Sequence, residues 1–173
     1  HSSVMYDRLF QDGNIIMLDN DQRKTGIIKY IGADDEEGGS VELKGFSLLH
    51  MLTQRITVPP KGKAHHEFNK AAAEDIMTAL VNTNAVAPTD NKRKIPRLVI
   101  RQSAGRGEQL TYQTRYDVLT DCLEELCGAS GMGVCVSLDP QNKQFVFEVL
   151  EGVDRTVNQT DRPPMIFNVN YDH

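Results

Sequence analysis

The strand-like runs of this sequence arrive in groups joined by turns instead of alternating one by one with helices, and that order constrains the fold more than any single motif does. Asn14-Ile15-Ile16-Met17-Leu18 meets the turn residues Asp19-Asn20-Asp21-Gln22, and Gly26-Ile27-Ile28-Lys29-Tyr30-Ile31 follows. Two β-branched runs around a turn make a hairpin. Ser40-Val41-Glu42-Leu43-Lys44-Gly45-Phe46 then alternates with period two, so Val41 and Leu43 share one face and Glu42 and Lys44 the other. A three-stranded meander is expected, with the charged, Gly-rich run 33–39 as an exposed loop.

The period then lengthens. Leu48, Leu49, Met51 and Leu52 fall three and four apart behind Ser47, which predicts a short helix near 47–55, ended by Pro59-Pro60. A second helix is predicted over 68–82, with Ala72, Ile76, Met77, Leu80 and Val81 as its buried stripe. Strands are expected at Pro96 to Arg101 and, shorter, at Gln109 to Gln113. Thr114, with Asp117 three residues on, starts a helix near 115–128 whose stripe is Val118, Leu119, Cys122, Leu123, Leu126 and Cys127. A hairpin over 132–150 turns at Asp139-Pro140-Gln141-Asn142, and Met165 to Val169 reads as a final strand. Strands and helices are grouped, so the class is α+β.

Charge and composition narrow the function. The 173 residues hold 19 Lys and Arg against 24 Asp and Glu, a net charge of −5, which removes the usual argument for a dedicated nucleic-acid or anionic-membrane binder. Hydrophobic residues make up 39% and aromatics 6%, which implies a modest core. No apolar run reaches the ~18–20 residues of a membrane span, and no membrane partner is expected. Three cysteines, Cys122, Cys127 and Cys135, do not make a disulfide framework and are expected to be reduced.

No motif supplies a catalytic, metal or cofactor site. His65-His66-Glu67 lacks the i, i+4 spacing of a zinc helix and reads as a solvated loop. Cys122 and Cys127 sit in a buried stripe, Cys135 lies across its strand from Val134 and Val136, and no fourth ligand is spaced to join them. Gly128-Ala129-Ser130-Gly131-Met132-Gly133 runs helix to strand, the reverse of a nucleophile elbow, and its glycines end a helix. Ser103-Ala104-Gly105-Arg106-Gly107 lacks the Gly-Lys-Ser/Thr of a phosphate loop. The carboxylates of Asp34 to Glu37 and of Glu124-Glu125 read as solvated. Lys92, Arg93, Lys94, Arg97, Arg101 and Arg106 form a basic stretch without interleaved aromatics. It is expected to meet an acidic neighbour, such as another copy of the chain, rather than nucleic acid.

Three passages in order carry a resemblance: Asp21-Gln22-Arg23-Lys24-Thr25-Gly26-Ile27-Ile28; Lys44-Gly45-Phe46-Ser47-Leu48-Leu49-His50-Met51-Leu52-Thr53-Gln54-Arg55; and Thr114-Arg115-Tyr116 opening a helix that runs to Ala129-Ser130-Gly131-Met132-Gly133 before a hairpin closing on Phe145-Val146-Phe147-Glu148. Together they resemble the siphovirus gene-37-like tail protein family, over about Gly13 to Asn170. The resemblance implies a phage tail-hub-like fold, an antiparallel barrel-like β part interrupted by a mixed α/β insertion. Residues 1–46 plus 158–173 would form the barrel-type part and 47–157 the insertion. It further implies a structural, non-enzymatic component of a phage or prophage tail, at the hub or tip. Such a component assembles as a homo-oligomeric ring, commonly a trimer, beside distal tail and tape-measure proteins. Its expected location is the virion tail, and the host bacterial cytoplasm during assembly. Two other functions stay open: a tail-associated cell-wall hydrolase or a fragment of one, and a bacterial module binding a peptide or glycan. Because it opens on His1 and stops just past a new strand, the sequence is expected to be a piece of a longer hub-like protein.

Overall fold

The computed structural model describes residues 8–33 and 41–152, together with Thr160 and Pro163. The meander forms as its alternation predicts. Strands β1 (Ile15–Met17), β2 (Thr25–Ala33) and β3 (Val41–Ser47) make one antiparallel sheet in that order, with Ile15 opposite Ile27 and Phe46 opposite Ile27 on the other side. A bulge between Ile28 and Tyr30 bends β2. Gly45 is required there, because a Cβ at that position would stand 2.0 Å from the Ile27 carbonyl oxygen.

The apolar run after Ser47 winds as a 3₁₀ helix, Leu48–Gln54, in place of an α-helix over 47–55, and Ser47 makes no side-chain cap. Leu48 and Leu52 are nonetheless fully buried. The second helix is a larger correction. Its first third is a strand, β4 (His66–Ala72), and α1 spans only Ala73–Val81. β4 pairs antiparallel with β6 (Gln109–Thr114), with His66 opposite Thr114 and Ala72 opposite Gln109, and Lys70 takes a φ of 50° at the bulge between Phe68 and Ala71. Helix propensity in Asn69-Lys70-Ala71-Ala72 yields to this pairing. At its other end α1 continues past the expected end at 82 through a π-type turn, Asn82–Val86. The fully buried Asn84 holds that turn: its amide donates to the Leu80 carbonyl at 2.9 Å, and its Oδ1 accepts from the Val58 amide at 2.8 Å.

Helix α2 begins at Leu119, not 115, and runs to Ser130. Thr114 and Asp117 do bond, Oγ1 to Oδ2 at 2.7 Å, but they form a turn ahead of the helix, with Tyr116 at a φ of 60°. Thr57 clamps that turn, donating its amide to the Asp117 carbonyl and accepting from the Tyr116 and Asp117 amides. Gly131 closes α2 in the left-handed region at a φ of 68°, as its glycines predict. The hairpin follows as β7 (Gly133–Asp139) and β8 (Gln144–Leu150). β5 (Leu98–Ile100) joins β8 in parallel, so β8 is the central strand of a mixed sheet ordered β5-β8-β7.

The core lies between α1, α2, the 3₁₀ helix and β8, where Ile76, Met77, Leu80, Leu119, Leu123, Leu126 and Phe147 are buried. The class is α+β. The sheets are three and open, with no closed barrel among the described residues. The expected terminal strand Met165 to Val169 and the acidic loop Asp34 to Glu37 lie outside the described residues.

His66 corrects the solvated-loop reading of 65–67. It is buried, stacks on Phe68 with ring centroids 4.6 Å apart, and its Nδ1 has no hydrogen-bond partner among the described residues. Burial lowers its pKa below the ordinary 6.5, so the unfolded chain takes up a proton first and stability falls as pH drops through that value. His66→Phe is expected to remove this part of the acid sensitivity. Urea midpoints on either side of the ordinary histidine pKa should lie closer together in the variant than in the parent chain.

Candidate functional site

Glu148 is a buried charged group at the junction of the first sheet and the rest of the described chain. Its place in the otherwise apolar run Phe145-Val146-Phe147-Glu148-Val149-Leu150 puts it on the central strand, and its side chain is only 4% exposed. A carboxylate there needs partners. Arg23, from the turn between β1 and β2, supplies a two-pronged contact, Nε to Oε1 at 2.9 Å and Nη2 to Oε2 at 3.1 Å. Arg101, just after β5, places Nε 3.0 Å from Oε2, and the Cys135 thiol of β7 donates to Oε1 at 3.4 Å. Backbone bonds frame the cluster: the Leu138 amide donates to the Gln22 carbonyl and the Arg101 amide to the Phe147 carbonyl, both at 2.9 Å.

Hydrogen bonds from Arg23 outweigh burial and hold Glu148 below the ordinary carboxylate pKa, so it is ionised at neutral pH. Burial first, then the adjacent Glu148 charge, pushes the Cys135 thiol up to about 11. A protonated thiol beside a fixed carboxylate is a poor nucleophile. The guanidiniums, 56% and 65% exposed in their side chains, face a polar hollow of about 380 Å³ that Gln22 and Ser137 also line.

A second feature is apolar. A groove of about 450 Å³ over the first sheet is lined by Ile16, Leu18, Ile27, Leu43 and Phe46, with Arg23, Lys24 and Lys44 contributing charge. Side chains of this sheet and its turn stand in solvent although they are large and hydrophobic: Leu18, Tyr30, Val41 and Phe46 are each half exposed or more. Both hollows include Arg23, which joins the meander to the body.

The residues singled out from sequence are scattered. Of the basic stretch, Arg101 serves Glu148 and Arg106 serves Glu74 of α1, so two of the six cations answer internal carboxylates and not an acidic neighbour. The Ser103–Gly107 loop does cradle an anion, but it is Glu74: the Ala104 and Arg106 amides donate to Oε2 at 3.1 and 2.9 Å, and the Arg106 guanidinium donates to both oxygens. These bonds hold Glu74 down to about 2. Glu125 of the Glu124-Glu125 pair accepts from the Tyr112 hydroxyl at 3.0 Å. All three cysteines are free. Among the described residues no group of three His, Cys, Asp or Glu side chains converges to hold a metal ion, and no helix is long and apolar enough to cross a membrane. Sequence reasoning missed both buried glutamates. Glu148 had a signal, a lone charge in an apolar strand; Glu74, in a run of alanines, had none.

Glu148→Gln tests the cluster. The loss is expected to be about 1–2 kcal/mol, less than for a fully buried pair because both guanidiniums reach water. Amide exchange should quicken in β1 and β2 more than in β7. Alkylation of Cys135, followed by mass spectrometry, should speed up several-fold, because the variant removes the charge that raises the thiol and leaves the arginines that lower it.

No curated protein and no solved structure matches the chain. The family model described as Siphovirus ReqiPepy6 Gp37-like protein matches residues 3–173. The chain, with its Arg23-anchored meander and α+β body, therefore belongs to the siphovirus Gp37-like protein family, a family of phage proteins.

Proposed function

We propose that this protein is a structural component of a phage or prophage tail, at the hub or tip, and that it works by assembling with copies of itself and with other tail proteins. The observation that carries the reading is the unburied apolar surface of the first sheet. A sheet needs a covered face to be stable, and the meander covers only part of its own against the body. Family membership supplies the phage context. The site chemistry agrees with a scaffolding role, since the two best-built polar clusters hold their carboxylates ionised and fully engaged with arginine. Localisation to the virion tail, with assembly in the host cytoplasm, follows from this reading.

Antibody labelling of purified particles from a lysogen carrying the gene is the direct test. Label at the distal end of the tail is the expected outcome, with distal tail or tape-measure protein retained by the tagged chain. A chain found only in the lysate, or one that releases muropeptides from purified cell wall, would overturn the structural reading in favour of a hydrolase.

A further inference from the structure

We infer that a basic, partly apolar patch around Ile56 and Tyr116 docks head to tail on the acidic face of helix α2 in the next copy of this chain. The inference rests on the assembly reading above and names a contact that repeats around a ring. Three segments far apart in sequence build the patch. Residues 55–63, 91–95 and 115–116 hold seven cations, Arg55, Lys61, Lys63, Lys92, Arg93, Lys94 and Arg115, and no carboxylate. Folding brings the segments together: the Arg93 guanidinium donates to the Ile56 carbonyl, the Arg55 guanidinium to the Arg93 carbonyl, and the Tyr116 amide to the Thr57 carbonyl. Ile56, Val58 and Tyr116 stand exposed on the same segments. The carboxylates at their margins are turned elsewhere. Asp90 accepts from the Lys92 amide, and Asp117 from the Thr114 hydroxyl and the Arg115 amide. Among the described residues none of the seven cations forms an ion pair.

The complementary field lies on the same chain. No Lys or Arg occurs between Arg115 and Lys143, and α2 presents Asp121, Glu124 and Glu125 on one exposed face, at i, i+3 and i+4. Those three also form no ion pair among the described residues. The two fields meet at Tyr116, which borders a hollow of about 540 Å³ that Asp121 and Glu125 also line. A fold that engages Glu148 and Glu74 with arginine thus leaves cations and carboxylates side by side without pairing them. Solvation alone would account for the charges, but not for exposed Ile56, Val58 and Tyr116 among them. Arginine and tyrosine around an apolar centre are the make-up of a docking surface. Arg55 and Arg93 are already pinned by carbonyls, and Arg115 lies 5.3 Å from the Tyr116 ring centroid, so they lose little freedom on binding. Because patch and face are different surfaces, the contact is heterologous, and it repeats from copy to copy until a ring closes.

The test follows the mass of the full chain at submillimolar concentration by light scattering and native mass spectrometry. The parent chain is expected to give a closed oligomer of three or more copies that dissociates as salt rises from about 20 to about 300 mM. Lys92→Glu with Lys94→Glu, and separately Asp121→Lys with Glu124→Lys, should each weaken assembly about tenfold or more. All four side chains are exposed, so the core is untouched. Mixed in equal amounts, the two variants should assemble again in even numbers and strict alternation, because each docks only on the other. All four changes in one chain should restore the parent's number of copies. A parent that stops at two copies, an oligomer indifferent to both pairs of changes, a mixture that stays monomeric, or a monomeric parent that binds a short DNA duplex through Lys92 and Lys94 would each overturn the inference. Tail labelling of the virion with an oligomer indifferent to the changes leaves the tail reading standing and removes this contact; alternation in the mixture without tail labelling does the reverse.

Discussion

One ionised carboxylate, Glu148, decides how the two halves of this molecule meet. It stands on the central strand of the mixed sheet, where an unpaired charge would cost several kcal/mol. Its partners therefore come from wherever the chain can supply them. Arg23 reaches it from 125 residues away in sequence, Arg101 from just past β5 and Cys135 from β7. The consequence is structural: the tight turn that links β1 to β2 is carried onto the outer face of the body, and the Gln22 carbonyl is set where the Leu138 amide needs it. Without Glu148 the Leu138-to-Gln22 backbone bond would have to hold that turn with no ion pair beside it.

Glu74 repeats the same solution inside the body. The first turn of α1 lacks any side-chain cap, and its amides are taken by carbonyls of the facing loop, Ala73 to Glu108 and Glu74 to Arg106. The glutamate returns the favour by accepting the loop's own amides. A loop with the look of an anion cradle is thus one whose anion is built in. Arg106 completes it and donates onward to the Val149 carbonyl, one residue past Glu148. Through Arg106 the Glu74 cluster thus reaches the residue next to Glu148, so both ion-pair clusters meet at β8, the central strand of the mixed sheet.

This arrangement explains what the sequence could disclose. The meander, the hairpin over 132–150 and the glycine stop at Gly131 were legible because period and turn chemistry act locally, and local rules hold wherever the chain is its own neighbour. The strand at 66–72 was not legible, since Phe68 to Ala72 has helical composition and becomes extended only because β6, some forty residues later, pairs with it. The delayed start of α2 has the same origin: Thr57 holds Tyr116 and Asp117 out of the helix. His66 read as loop because two adjacent histidines look solvated, and its burial depends on that same late pairing. The family resemblance was carried by the order of motifs; Arg23 and Glu148 stand inside the first and last of them, 125 residues apart, and no spacing rule pairs residues so distant in sequence.

The division of labour between body and meander also bounds how strongly such a chain can assemble. The body satisfies itself, with its buried leucines and Phe147 closed over by two helices. The meander does not, and its half-exposed Leu18, Tyr30, Val41 and Phe46 would each gain about 1 kcal/mol on full burial. That sum, about 4 kcal/mol, only meets the lower end of the cost of bringing two chains together. Any single contact is weak and concentration-dependent in the isolated chain. Stability in a larger particle must come from several such contacts closing on one another, where each raises the effective concentration for the next. Under the proposed tail role, a chain with a closed core and a partly uncovered sheet would be suited to that kind of assembly, because the core can form before the sheet meets a neighbour.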